Sequence, residues 1–152
     1  MAAGLSLVPE NFEAFRKRFD EVVAEILEHQ RPQPEISIDA EINLDQLTPK
    51  NFRLLQQMGP FGPDNMKPVF VSRNLVNAKY TRPVGATASH LKLHIKQKDL
   101  SMEVDGIAFD YGHLCDSILA GTSFDMVYTV EENEWQGEIK MQVMVKEMKM
   151  LN

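Results

Sequence analysis

The sequence predicts a mainly β protein: a small closed barrel of five strands with one helix between the third and fourth, preceded by a helix–strand–helix segment. Three observations carry this. From Pro68 onward, apolar residues alternate with polar ones in five runs separated by turn residues. One stretch, Tyr111 to Ala120, breaks the alternation with helical spacing and is closed by Gly121. Before Pro68 two stretches with spacings of three and four flank one short alternating run, and a Gly/Pro-rich stretch separates this region from the barrel.

Phe12, Phe15, Phe19, Val22, Val23, Ile26 and Leu27 form the stripe of an amphipathic helix. Pro9 suits its first turn, where a missing N–H costs nothing, and Arg31-Pro32-Gln33-Pro34 ends it. Ile36, Ile38, Ala40 and Ile42 alternate with polar residues, as on a half-buried strand. Thr48-Pro49 supplies the N-cap and first position of a shorter helix. Its inward residues are Phe52, Leu55 and Met58, and Gly59 lies just past its end. The stiff turn Gly59-Pro60-Phe61-Gly62-Pro63-Asp64-Asn65 reads as a boundary, giving expected limits of 1–47, 48–67 and 68–152.

Within the barrel, strand one runs from Pro68 to Arg82 with a bend near Arg73-Asn74. Strand two, Ser89 to Gln97, alternates Leu91, Leu93 and Ile95 against an outward row of His90, Lys92, His94 and Lys96. A tight turn at Lys98-Asp99 leads to strand three, Leu100 to Phe109, with Gly106 as a candidate bulge. Strand four carries Phe124, Met126, Tyr128 and Val130; strand five carries Ile139, Met141, Val143 and Val145, after a turn at Asn133 to Gly137. Five strands with a helix after the third is the order of an OB-fold barrel. That fold binds oligonucleotides on its strand-two/three face and its one-two and four-five loops.

The global charge of −6 argues against a polyanionic ligand, but the charge is segregated. Residues 1–48 hold 4 basic and 10 acidic side chains, residues 49–98 hold 9 and 1, and residues 99–152 hold 3 and 11. Asn65 to Lys96 contains no acidic residue, yet it holds Lys67, Arg73, Lys79, Arg82, Lys92 and Lys96. Such asymmetry steers a polyanion to one surface. The competing reading is clustering by chance, neutralised by acidic neighbours in the fold.

A single strand needs cations for phosphates and flat π-faces for unpaired bases. The candidate nucleic-acid-binding residues are Lys79, Tyr80, Arg82, His90, Lys92, His94, Lys96 and Trp135. Tyr80 and Trp135 serve equally as caps over a barrel end, and lysines on strands also discourage edge pairing.

Catalytic readings find little support. On a strand His90 and His94 stand ~13 Å apart, too far for one metal ion. His113 reads as a surface or capping residue, and Cys115, the one cysteine, as a buried thiol. No phosphate-cradling glycine loop, nucleophile elbow or converging carboxylate cluster is evident. No catalytic or metal-ligating residue is therefore expected. One cysteine fits a reducing cytoplasm, and neither a membrane span nor a signal peptide is expected.

Several motifs together resemble the C-terminal OB domain of the RecJ family of bacterial single-strand-specific 5′-to-3′ exonucleases. They are His90-Leu91-Lys92, Asp105-Gly106-Ile107-Ala108-Phe109, Asn133-Glu134-Trp135-Gln136-Gly137 and Met141-Gln142-Val143. Gly59-Pro60-Phe61-Gly62 resembles the linker before that domain, and Ala2-Ala3-Gly4-Leu5 a strand of the family's accessory phosphoesterase domain. Asn65-Met66-Lys67-Pro68 departs from the family's usual Asn-Pro-x-Pro.

The resemblance implies a fragment: residues 1–47 as the tail of the accessory domain, 48–67 as linker helix and turn, and 68–152 as the OB domain. It implies a catalytic core upstream of Met1 that binds manganese or magnesium, so the fragment itself carries no cofactor. Implied partners are single-stranded DNA and that core; a single-strand-binding protein is the kind of partner a protein-docking module would take instead. The implied role is DNA repair and recombination, with Lys92, His90 and Trp135 carried over as matching positions. The alternatives left open are an OB-type module that docks a protein of repair, and a standalone hydrolase.

Overall fold

The structure, a computed structural model, describes residues 4–27, 35–135 and 137–151, with the backbone alone at Trp135. It divides into two compact units, Met1–Ile36 and Ser37–Asn152. In the first, a 3-10 turn over Pro9–Asn11 leads into helix α1, Phe12–Leu27, with Pro9 at the first position. Phe15 and Phe19 stack at 5.7 Å along the apolar stripe. Phe12, Phe19 and Ile26 remain exposed, and no residue of α1 is buried. The expected terminator, Arg31 to Pro34, lies outside the described residues.

The second unit begins with a strand shorter than the alternation predicts. β1 is Ala40–Glu41 alone, parallel to the first barrel strand, while Ile36 and Ile38 lie outside it and are exposed. Alternation prepares a residue for a sheet but does not supply the neighbouring strand. A 3-10 turn follows at Leu44–Gln46, then helix α2, Pro49–Gln57, in which the Asn51 N–H donates to Thr48 Oγ1 at 3.1 Å. Phe52 and Leu55 are half-buried as expected, but Met58 is 55% exposed because it caps the helix where the chain turns away.

Residues 40–47 pack as part of the barrel. Leu44 and Leu47 are buried in one core with Leu75, Leu91 and Leu93. Gln97 fastens them there, accepting from the Leu44 N–H at 2.8 Å and donating to Asn43 Oδ1 at 3.1 Å. In the turn before the barrel, Asn65 Nδ2 donates to the Met58 and Pro60 carbonyls at 3.0 and 2.9 Å.

The barrel strands are β2 Phe70–Asn77, β3 Arg82–Val84, β4 His90–Gln97, β5 Glu103–Ala108, β6 Phe124–Trp135 and β7 Glu138–Met150. β2 pairs antiparallel with β4 and β6, β4 with β5, and β6 with β7; β5 runs parallel to β7. The ring β2–β4–β5–β7–β6 therefore closes, in the expected OB order, with the helical segment between its third and fourth members. That segment is a 3-10 turn at Gly112–Leu114 and helix α3 at Cys115–Leu119. Inside lie Leu91, Leu93, Ile95, Ile118, Phe124, Met126, Tyr128 and Val143, all fully buried. At ~1.5–3 kcal/mol for each large apolar side chain, this interior dominates stability. Tyr128 Oη keeps a partner in Ser72 Oγ at 2.8 Å, and burial pushes its phenol up to about 12.

Four details differ from the sequence reading. Strand one bends at Asn74 (φ 55) as expected but stops at Asn77, and Arg82 begins β3. β5 starts at Glu103 rather than Leu100, so the β4–β5 turn is longer than Lys98-Asp99 alone. Gly106 makes no bulge against β4, where the register runs unbroken from Leu91–Ala108 to Lys96–Glu103. It is glycine because β7 passes close: a Cβ there would stand 2.8 Å from Val143 Cγ2. Finally, Asn133 to Gly137 is no open loop. β6 and β7 pair as far as Trp135 and Glu138, and Gly137 (φ 80) turns the hairpin.

Candidate nucleic-acid interface

Strand β4 sorts its residues by parity: Leu91, Leu93 and Ile95 enter the core, and His90, Lys92, His94 and Lys96 take the other face. Two of their three cross-strand neighbours on β5 are acidic. Lys92 lies opposite Ile107, His94 opposite Asp105 and Lys96 opposite Glu103. The basic row therefore stands beside two carboxylates.

Along its other edge β4 pairs first with β2 and then with β3. Between the pairs Asn77–Ile95 and Arg82–Lys92 the chain advances five residues against three on β4. The two-residue excess takes Lys79 and Tyr80 out of the sheet and over the face. The Ala78 N–H donates to the His94 carbonyl at 2.8 Å, and the His94 N–H to Thr81 Oγ1 at 3.2 Å, closing both ends of this excursion. Tyr80, 55% exposed, stacks on His94 with ring centroids 4.2 Å apart and planes 17° from parallel.

His94 stands on the outward face but is only 8% exposed, so it is covered there rather than open as expected. Its Nδ1 meets Asp105 Oδ1 at 2.8 Å and its Nε2 meets Glu103 Oε2 at 2.9 Å. Burial alone would lower its pKa; the hydrogen bonds and charges of Asp105 and Glu103 outweigh that and raise it. Glu103 is held below the usual carboxylate range by His94 first and then by Lys79, whose Nζ reaches the same oxygen at 3.0 Å. His90 accepts from the Asp110 N–H at Nδ1 (3.1 Å) and meets Phe109 edge-on at 5.1 Å.

Three of the six cations in the Asn65–Lys96 stretch are bound to carboxylates. Lys67 pairs with Glu131 at 2.9 Å, Arg73 with Glu41 and Asp125 at 2.9 and 3.0 Å, and Lys79 with Glu103. Arg82, Lys92 and Lys96 make no ion pair among the described residues. Lys92 Nζ donates instead to Gln142 Oε1 at 3.2 Å.

Beside Lys92 opens a groove of about 340 Å³, lined by Ile107, Phe109, Asn133, Gln142 and Met144 with Glu131 and Glu132. Phe109 is 49% exposed. The sequence reading missed this apolar floor. The signal was present: counting alternate residues along β5 puts Ile107 and Phe109 on the face of Lys92. Trp135 lies on the hairpin at the end of β6, and its side chain is outside the described residues.

Among the described residues no group of three or more His, Cys, Asp and Glu side chains could hold a metal ion. His94, Asp105 and Glu103 do not form one, since the carboxylates engage different nitrogens of one ring. These residues therefore do not fit manganese or magnesium. Cys115 is buried, and burial pushes its thiol up. No helix among the described residues is long and apolar enough to cross a membrane.

Comparison with known proteins shows one family over most of the chain. The model of the RecJ OB domain matches residues 38–147. The single-stranded-DNA-specific exonuclease RecJ of Bacillus subtilis (strain 168) is 29% identical over 147 residues, covering 97% of this chain and 18% of that protein. RecJ of Dickeya dadantii (strain 3937) is 30% identical over 146 residues, covering 96% and 25%. The crystal structure of Thermus thermophilus RecJ in complex with Mn²⁺ matches 96% of this chain and 20% of its own, with a TM-score of 0.64 and 22% identity, a likeness of fold. The chain thus spans a quarter or less of these relatives. The match extends over most of the barrel unit and includes the strands that build the face described above: this chain belongs to the RecJ OB-domain family.

Proposed function

We propose that this chain is the single-stranded-DNA-binding, non-catalytic part of a RecJ-type exonuclease, with the strand crossing the face of β3, β4 and β5. One observation carries the reading. Lys92, with no ion pair among the described residues, lines the groove whose apolar floor is Ile107, Phe109 and Met144, and its cross-strand partner Arg82 sets a second cation without an ion pair beside it. Cations beside apolar and aromatic surface are what a single strand requires. Arg82, Lys92 and Lys96 are the proposed phosphate contacts, Tyr80 and Trp135 the proposed stacking platforms. Lys79, His90 and His94 support them, being engaged with Glu103, Asp110 and Asp105.

On this reading the hydrolytic core, its Mn²⁺ or Mg²⁺, its 5′-to-3′ direction and its place in cytoplasmic repair and recombination belong to the rest of a parent protein. Residues 1–47 are proposed as the tail of its accessory phosphoesterase domain, with Leu44 and Leu47 completing the barrel core. Residues 48–67 are the proposed linker and 68–152 the binding domain. A labelled single-stranded oligonucleotide is expected to bind, less tightly as salt rises, and to stay intact with Mn²⁺ or Mg²⁺. Chelator-sensitive turnover that co-elutes with the pure chain would overturn the non-catalytic reading.

The alternative is an OB-type module that docks a protein such as a single-strand-binding protein. It is favoured by the β6–β7 hairpin, where exposed Ile139 stands among Glu132, Glu134 and Glu138. Capture of that protein by a chain that binds no oligonucleotide at low salt would select it.

A further inference from the structure

We infer that His94 is a positioning residue of the nucleic-acid face: an imidazolium hydrogen-bonded on both sides, which holds Tyr80 as a stacking platform with Lys79 beside it. The inference rests on the single-strand reading above and adds a proton to it.

Both ring nitrogens of His94 face carboxylate oxygens, Asp105 Oδ1 at 2.8 Å and Glu103 Oε2 at 2.9 Å. An ionised carboxylate only accepts, and a neutral imidazole has one N–H. Only the imidazolium satisfies both contacts. Deprotonation would set a nitrogen lone pair against a carboxylate oxygen and release one side of the ring.

Three links connect that ring to the excursion above it. Tyr80 stacks on it at 4.2 Å. Glu103 Oε2, the acceptor for His94 Nε2, also holds Lys79 Nζ at 3.0 Å. The His94 backbone N–H donates to Thr81 Oγ1. One ring face of Tyr80 is therefore fixed, and the residue is still 55% exposed, leaving the other face to a base.

The charged groups around His94 are Glu103 and Asp105 from β5, Lys79 from the excursion, Arg82 from β3, Lys92 and Lys96 from β4 itself, and Lys140 from β7, which senses Asp105 and Tyr80. Among them the two carboxylates hold the proton, keeping the His94 value above the ordinary histidine range despite burial. The clamp is therefore fully set below about pH 6.5 and is lost as pH rises through the raised value. Loss of the proton also leaves one more net negative charge beside the phosphate path. Both effects weaken binding in the same direction.

The test measures affinity for a labelled oligothymidylate at fixed ionic strength from about pH 6 to 9, a range spanning the histidine titration. His94 and Tyr80 ring resonances of the free chain are followed in parallel. Wild-type affinity is expected to fall about fivefold or more as His94 titrates, the least that loss of a stacking platform costs. Tyr80→Ala should bind weakly with a flatter profile. His94→Asn should bind at the high-pH level throughout and add to Tyr80→Ala only the smaller loss that comes from its missing charge, whereas His113→Asn, a residue outside the binding machinery, should keep the wild-type dependence. If His94→Asn unfolds, Tyr80→Ala and the ring resonances carry the test. Wild-type binding that is flat in pH, or a Tyr80 ring unmoved by His94 titration, would overturn the clamp alone. Coupled titration of the two rings with no binding at any pH would overturn the single-strand reading, and the positioning role with it.

Discussion

The six cations between Asn65 and Lys96 look alike in sequence and divide into two groups in space. Lys67, Arg73 and Lys79 each end on a carboxylate brought in from another segment, 24 to 64 residues away. Arg82, Lys92 and Lys96 stand at β3 and β4 without such a partner among the described residues. A one-sign run along the chain is thus not a one-sign patch on the surface, because a closed sheet sets each strand between neighbours that the chain supplies much later. The competing reading, neutralisation within the fold, holds for half of the stretch. The remaining half is where a strand of phosphates would be met by unpaired charge.

Substitutions test that division. The largest effect is expected from the triple variant Arg82→Ala, Lys92→Ala, Lys96→Ala. With about three phosphates neutralised the log–log salt slope is about −2, so affinity at 0.1 M salt should drop about a hundredfold and its salt dependence nearly vanish. Titration by fluorescence anisotropy measures both. Trp135→Ala comes next: it should cost ~1–3 kcal/mol of binding and leave the slope unchanged, since no charge is lost. If that variant instead melts early and keeps its affinity, Trp135 is a cap on the barrel. Lys92→Ala alone should flatten the slope by about 0.7 and leave the melting temperature near wild type. Least of all, Lys67→Ala should leave the slope nearly unchanged and cost only a little affinity, because this cation is held by Glu131 and its loss merely uncovers that carboxylate at the groove. A slope change from Lys67→Ala as large as that from Lys92→Ala would erase the distinction between the two groups.

Much of the barrel was legible because period-two alternation reports directly on which face is buried. Leu91, Leu93 and Ile95 are fully buried as that pattern requires, and Thr48 caps α2 as its chemistry suggests. Positions set by partners rather than by local pattern were not legible. Ile36 and Ile38 alternate correctly and find no place in β1. Parity put His94 outward, yet Tyr80 and two carboxylates cover it, because the excess at Lys79-Tyr80 depends on a register that only the folded sheet defines. The apolar groove beside Lys92 has the same origin, assembled from β5, β6 and β7.

The central claim is that the β3–β4–β5 face grips a single strand through the cations left without ion pairs. Its most direct test is the salt dependence of oligonucleotide affinity for the wild-type chain, measured beside the Arg82, Lys92, Lys96 triple variant. A wild-type slope of about −2 that collapses toward zero in the triple variant is the predicted result. A slope that persists undiminished in the triple variant would place the strand elsewhere, and no binding at low salt would contradict the claim outright.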